Sequence, residues 1–189
     1  MHGALFVCEY AALAAGIRIL DELLKKAPVK VLYGRPVCIG KFVILTEGDA
    51  SAVREAEACA DGLPYKPISK CVITSVHPIL LDHLRKPRVY NYAGGALGIF
   101  ETRTVSTGIE ALDQALKSAD VRLLKLDMGF NIGGKSMFII GGDVSAVTAA
   151  LNYASGALSE RDLIGKEIIA APDPGLLDYF FKSFLNLKS

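Results

Sequence analysis

The chain has 189 residues, enough for one ordinary domain or two small ones. Its 21 Lys and Arg against 20 Asp and Glu leave a formal charge of +1, which excludes the electrostatic footprint that a nucleic-acid partner demands. No apolar run approaches the ~18 residues that cross a bilayer, so no membrane partner is expected either, and 51% hydrophobic residues with a mean hydropathy of +0.35 predict apolar surface buried between copies of the chain.

Residues 4–10 read as a strand. The apolar start resembles a secretion signal, but no Lys or Arg precedes it and Glu9 interrupts it, so none is expected. Leu13, Ile17, Leu20 and Leu24 recur at helical spacing, which predicts a helix packing that face on a sheet. Residues 29–36 and 41–47 read as strands flanking Cys38-Ile39-Gly40. Gly48-Asp49 then offers a cap for a helix bearing Val53, Ala56 and Ala60, whose small side chains permit close approach to the sheet. Residues 70–75 read as the closing strand. His77 and His83, near Pro78, are expected in a turn or at the surface. Cys8, Cys38, Cys59 and Cys71 lack zinc-ribbon or ferredoxin spacing, which predicts reduced thiols in a cytoplasmic protein, with Cys8 and Cys59 inert in the core.

The second half repeats the first. Sliding the sequence by 92 residues lays Ala4, Leu5 and Glu9 on Ala96, Leu97 and Glu101, and then Gly16 on Gly108, Ile17 on Ile109, Leu20 on Leu112, Asp21 on Asp113, Leu24 on Leu116 and Lys25 on Lys117. Val105, Ile109, Leu112 and Leu116 thereby repeat the helical stripe. Two extra residues then shift the offset to 94, pairing Gly40-Lys41 with Gly134-Lys135 and Gly48-Asp49 with Gly142-Asp143, and residues 166–171 answer 70–75. Each half reads β-α-β-β-α-β, an α+β ferredoxin-like fold with its helices on one sheet face. Lys86-Pro87-Arg88 and Gly94-Gly95 supply linker chemistry, so domains of residues 1–88 and 95–189 are expected.

Gly129-Phe130-Asn131-Ile132-Gly133-Gly134-Lys135-Ser136 satisfies the spacing of a phosphate-binding loop. That chemistry requires a helix to start at the Lys-Ser, whereas Met137-Phe138-Ile139-Ile140 reads as a strand, and the first repeat has neither the leading Gly nor the Ser. A glycine turn joining two strands is the expectation, and nucleotide hydrolysis is only a weak rival.

Ala96-Leu97-Gly98-Ile99-Phe100-Glu101 and Gly142-Asp143-Val144-Ser145-Ala146-Val147, with their first-half counterparts, resemble the BMC domain of bacterial microcompartment shell proteins, in its tandem, PduT-like form. Phe6, where the family usually has Gly, and His77-Pro78 and Asp173-Pro174, where it often has Arg-Pro-His, depart from the pattern. The resemblance implies a structural tile and no enzyme: a homotrimer imitating a hexamer, joined to other shell proteins in a microcompartment within the cytoplasm. It implies a central pore lined by Cys38, Ile39, Gly40, Asn131, Ile132 and Gly133, and shell edges bearing Lys25 and Lys117, which otherwise read as helix-ending cations favoured by the dipole. A threefold axis would gather three Cys38 thiolates, a donor set for one [4Fe–4S] cluster per trimer serving electron transfer across the shell, with zinc as competitor. A plain metabolite pore without metal, and a small-molecule-binding regulatory module, stand as alternatives.

Overall fold

The computed structural model describes residues 3–87, 92 and 94–177, which form two four-stranded antiparallel sheets. The first half runs β1 (Ala4–Tyr10), α1 (Leu13–Lys26), β2 (Lys30–Val37), β3 (Lys41–Gly48), α2 (Ala50–Asp61), β4 (Ser69–Ile73) and α3 (Pro78–Arg85). The second runs β5 (Ala96–Thr102), α4 (Val105–Ser118), β6 (Arg122–Met128), β7 (Ser136–Gly142), α5 (Val144–Gly156), β8 (Leu163–Ile169) and α6 (Pro174–Leu177). The strand orders, β2-β3-β1-β4 and β6-β7-β5-β8, are the same, so the duplication read in the sequence is a duplication of topology and each half is ferredoxin-like. The expected domain junction falls largely on residues outside those described, as do Met1, Arg88 and residues 178–189 of the expected boundaries. No helix among the described residues is long and apolar enough to cross a membrane.

All of β1 is buried, on both faces. Ala4, Phe6, Cys8 and Tyr10 point to a core shared with Ile19 and Leu23 of α1 and Val53, Ala56 and Ala60 of α2. Asp49 caps α2 by accepting a hydrogen bond from the Ala52 amide at 2.8 Å. Leu5 and Val7, on the opposite face, join Cys71 and Ile73 in a second core that runs on into α3 and the second half, taking in Val105, Ile109, Leu112 and Leu116 of α4. The two halves are thus joined by a continuous apolar seam.

That seam corrects two expectations. Leu13, Ile17 and Leu24 do not face their own sheet; they are exposed, and Ala15, Gly16, Ile19 and Leu23 are buried instead. Gly16 is what allows α1 to sit this low, since a Cβ there would lie 2.4 Å from Phe42, and Gly108 does the same for α4 against Ser136. The α4 stripe of Val105, Ile109, Leu112 and Leu116 is buried because β4, β1 and α3 of the first half cover it. His83 is the second correction: α3 is a helix with Pro78 in its first turn and His77 at its cap, and it buries His83 beside Leu80 and Leu84. Burial holds the His83 imidazole below its ordinary pKa, and burial does the same for His77, whose Nδ1 accepts from the Ile79 amide.

The glycine-rich stretch before Ser136 leads into β7 and joins it to β6, with Met128 paired to Ser136. No helix begins there, and the lysine that would meet a phosphate instead pairs with Glu101 at 2.9 Å. The turn reading of this segment holds.

Candidate functional site

Two loops, one from each half, meet at the seam. The first is a single tight turn, Cys38–Gly40, between β2 and β3, with Ile39 and Gly40 at positive φ (61° and 76°). The second spans Gly129 to Lys135, where the two-residue insertion lies, and holds four more positive-φ positions at Gly129, Asn131, Gly133 and Gly134. Asn and Gly are the residues that tolerate such backbone, which is why this composition makes a compact loop rather than a continued strand. Within it the Gly129 amide donates to the Lys135 carbonyl at 2.8 Å and the Gly134 amide to the Gly129 carbonyl at 3.2 Å.

The loops are bonded to each other. The Cys38 amide donates to the Gly129 carbonyl at 3.2 Å, and the Asn131 amide donates to Cys38 Sγ at 3.0 Å. Cys38 is half-buried, while its neighbours Ile39 and Phe130 are 78% and 68% exposed, an arrangement that leaves apolar side chains projecting from the joined loops. Of the six positions expected to line a pore, Cys38 and Asn131 are in direct contact, and Ile39, Gly40, Ile132 and Gly133 belong to the same two turns.

Beneath the loops lies a buried polar network that the sequence reading did not single out. Lys41 Nζ donates to the Gly134 carbonyl at 2.6 Å and pairs with Glu9 at 3.1 Å. The other Glu9 oxygen accepts from the Ser106 amide at 2.8 Å and from its hydroxyl at 3.0 Å, and that hydroxyl bonds Ser69 at 2.7 Å. Both charged side chains are nearly inaccessible, so the pair tolerates desolvation only because each partner's remaining bonding capacity is also met. Two charged strand residues of the first half, Glu9 in β1 and Lys41 at the start of β3, thereby hold the start of α4 and the loop of the second half. The available signal was the recurrence of Glu9 with Lys41 as Glu101 with Lys135, charged residues repeated inside otherwise apolar strand motifs.

The other cysteines differ from Cys38 in setting. Burial pushes the Cys8 thiol up to about 12 and the Cys71 thiol well above its ordinary value, and Cys71 donates to the Ser106 carbonyl at 3.4 Å. Cys59, partly exposed on α2, makes a long contact of 3.8 Å to the Glu22 carbonyl. Among the described residues no three His, Cys, Asp or Glu side chains converge as a metal site within one chain. A single half-buried sulfur already taking an amide hydrogen bond fits a thiolate-ligated group only where further copies bring their own Cys38 to it.

Lys25 and Lys117 end α1 and α4. Lys25 is exposed and pairs with Asp21, one turn earlier. Lys117 pairs with the buried Asp113 and donates to the Ser75 carbonyl, so it lies on the rim of the seam between the halves while keeping 36% of its side chain exposed.

The BMC domain model matches the chain twice, over residues 4–77 and 96–172. The bacterial microcompartment shell protein PduT of Citrobacter freundii is 33% identical over 165 residues, spanning 87% of this chain and 89% of that protein. The carboxysome shell protein CsoS1A of Hydrogenovibrio crunogenus is 37% identical over 81 residues, which is 42% of this chain and 82% of that protein. Among solved structures, a microcompartment protein from Desulfitobacterium hafniense superposes with a TM-score of 0.83 at 31% identity, covering 93% of this chain and 98% of that one. A fused permuted hexameric shell protein of the RMM microcompartment, at 24% identity and a TM-score of 0.62, shares the fold.

Proposed function

We propose, from the premise that this chain belongs to the BMC-domain family of bacterial microcompartment shell proteins, that three copies close into a pseudohexameric ring with the paired loops at its centre. As a member of that family the protein is a structural component of a microcompartment shell, and no enzymatic role is assigned to it. Its two repeats are taken as residues 1–88 and 95–189, so three chains supply six BMC domains. A head-to-tail contact between unlike faces is the kind that closes a ring. Around the axis, Cys38, Ile39, Gly40, Asn131, Ile132 and Gly133 line the pore, and Lys25 and Lys117 stand at the outer edges, where neighbouring shell proteins meet the tile.

The observation that carries the central reading is the Asn131 amide on Cys38 Sγ, within a turn whose sulfur is free and half-buried. A backbone donor aimed at sulfur fixes its orientation and would soften the charge of a group held there, and the positive-φ turn holds that sulfur out on the loop rather than in the core. Three such sulfurs would hold one [4Fe–4S] cluster per trimer, leaving its fourth iron to a small external ligand. The cluster would supply one-electron chemistry between the two sides of the shell. What the chain itself contributes is the thiol, the amide on it, and the Lys41–Glu9 anchor that keeps the second loop beside the first.

Anaerobic purification with iron and acid-labile sulfide counts tests this. About one cluster per trimer is expected by the stoichiometry of Cys38, lost in Cys38→Ser while sedimentation still gives the trimer. Protein holding neither iron nor sulfide, or colour that survives Cys38→Ser, would refute the redox reading and leave a metabolite pore.

A further inference from the structure

The two loops make the same turn with different residues. Ile39 and Gly40 have φ of 61° and 76°, and their counterparts Gly133 and Gly134 have 66° and 74°, so the backbone is closely repeated. In the second repeat both places are glycine, which adopts such φ without steric penalty. In the first, one of them is isoleucine, whose branched Cβ makes left-handed backbone a genuine strain. Burial within the chain does not offset it, since the Ile39 side chain is largely exposed. Strain of this kind persists where the side chain has a task.

The surroundings of that side chain carry no charge. Cys38-Ile39-Gly40 and residues 130–134 include no Asp, Glu, Lys, Arg or His. The two lysines that follow the loops are drawn back into pairs, Lys41 with the Gly134 carbonyl and Glu9, and Lys135 with Glu101. Phe130 is exposed next to Asn131, whose amide bonds Cys38 Sγ, and half-buried Ile132 stands where the first repeat has Cys38. Ile39 is also fixed in place. A Cβ on Gly134 would lie 3.1 Å from Ile39 Cγ1, so the side chain rests on the second loop at its base and projects beyond it.

We infer that Ile39 and Phe130 form an apolar collar over the Cys38 sulfur that turns away ions and charged metabolites, so that the molecules admitted to the site are small and uncharged. The collar rests on the ring proposed above, which sets three copies of each side chain about one axis, and it acts whether or not a cluster is bound there. Its physical cause is desolvation. A charged group entering an apolar mouth gives up hydration and meets no counter-charge, whereas an uncharged molecule of similar size loses little. The cost falls on both signs of charge, which separates it from electrostatic steering, where one sign is favoured and the other opposed.

The test reads Cys38 itself and needs no cluster. Cluster-free trimer carrying Cys59→Ala leaves Cys38 as the accessible thiol, since Cys8 and Cys71 are buried. It is treated with propyl, sulfonatoethyl and aminoethyl methanethiosulfonate, which are neutral, anionic and cationic at similar size. Each forms a mixed disulfide with the Cys38 thiolate and releases methanesulfinate. Relative to the rate of each reagent with mercaptoethanol, both charged reagents are expected to react about tenfold or more slowly than the neutral one. Ile39→Asn with Phe130→Ser should bring the three rates within about threefold of one another. Asn suits the turn, because Asn131 already holds such backbone at φ 59°, and sedimentation and circular dichroism check that the variant is a folded trimer. Ile39→Gly, which copies the second repeat, is the second variant and should lose part of the discrimination by itself. Equal rates in the parent trimer, a preference for one sign of charge over the other, or discrimination that survives these variants overturns the collar and leaves the ring standing. A trimer that discriminates but binds neither iron nor sulfide ends the cluster reading and keeps the collar. A chain that sediments as a monomer at all concentrations overturns both.

Discussion

Replacing Lys41 with Met should be among the most damaging single changes in this protein, and the structure says by how much. The substitution keeps the volume of the aliphatic stem but removes the cation that Glu9 and the Gly134 carbonyl share. Breaking a buried ion pair from one side costs roughly 3–5 kcal/mol, because the surviving charge stays buried without its partner. Glu9 keeps its bonds from the Ser106 amide and hydroxyl, which pulls the figure to the lower end, while the stranded Gly134 carbonyl adds about 1 kcal/mol. A loss of about 4 kcal/mol in a chain of this size lowers the melting temperature by roughly 8–16 °C. Thermal unfolding by calorimetry measures it, on trimer at fixed concentration so that assembly does not enter the difference. The double variant Lys41→Met with Glu9→Gln removes the orphaned charge and should recover about half of the loss, a coupling that a mutant cycle reads directly. If Lys41→Met costs less than about 1 kcal/mol, or if the double variant is no better than the single, the pair is not the anchor described.

Two other outcomes follow from the same contacts. His77 and His83 are held below the ordinary imidazole value of 6.5 by burial, so the folded chain binds fewer protons than the unfolded one as pH falls through that value. Their contribution is fully present above pH 6.5 and is lost on acidification toward the folded values, so the melting temperature should drop between pH 7.5 and 5.5, and His83→Gln should shrink the drop; an unchanged difference in that variant would clear His83 of any part. At the edge, Lys25→Asp should cut sheet formation seen by electron microscopy while moving trimer dissociation by no more than about twofold, since an exposed rim cation is worth little within the ring; full sheet formation by the variant would remove Lys25 from the edge.

The strand at residues 4–10, the Asp49 cap and the duplication were legible in the linear order, because each rests on local chemistry: alternation, a carboxylate beside free amides, and repeated identities. The family resemblance carried by the same motifs pointed to the fold, and the turn before Ser136 could be separated from a phosphate loop by the strand pattern that follows it. The face on which α1 packs could not be read that way. That helix carries two apolar stripes, Leu13, Ile17 and Leu24 on one side and Ile19 and Leu23 on the other, and periodicity reports that a side is apolar without reporting what covers it. Tertiary packing chose the stripe containing Ala15 and Gly16, because only the small side lets the helix settle on Phe42. His83 went underground for a similar reason, since the apolar residues of α3 that join the core against α4 carry their neighbour with them. The anchor of Glu9, Lys41, Ser106 and Gly134 joins residues up to 97 positions apart, and only the folding of one half against the other brings them within hydrogen-bond reach.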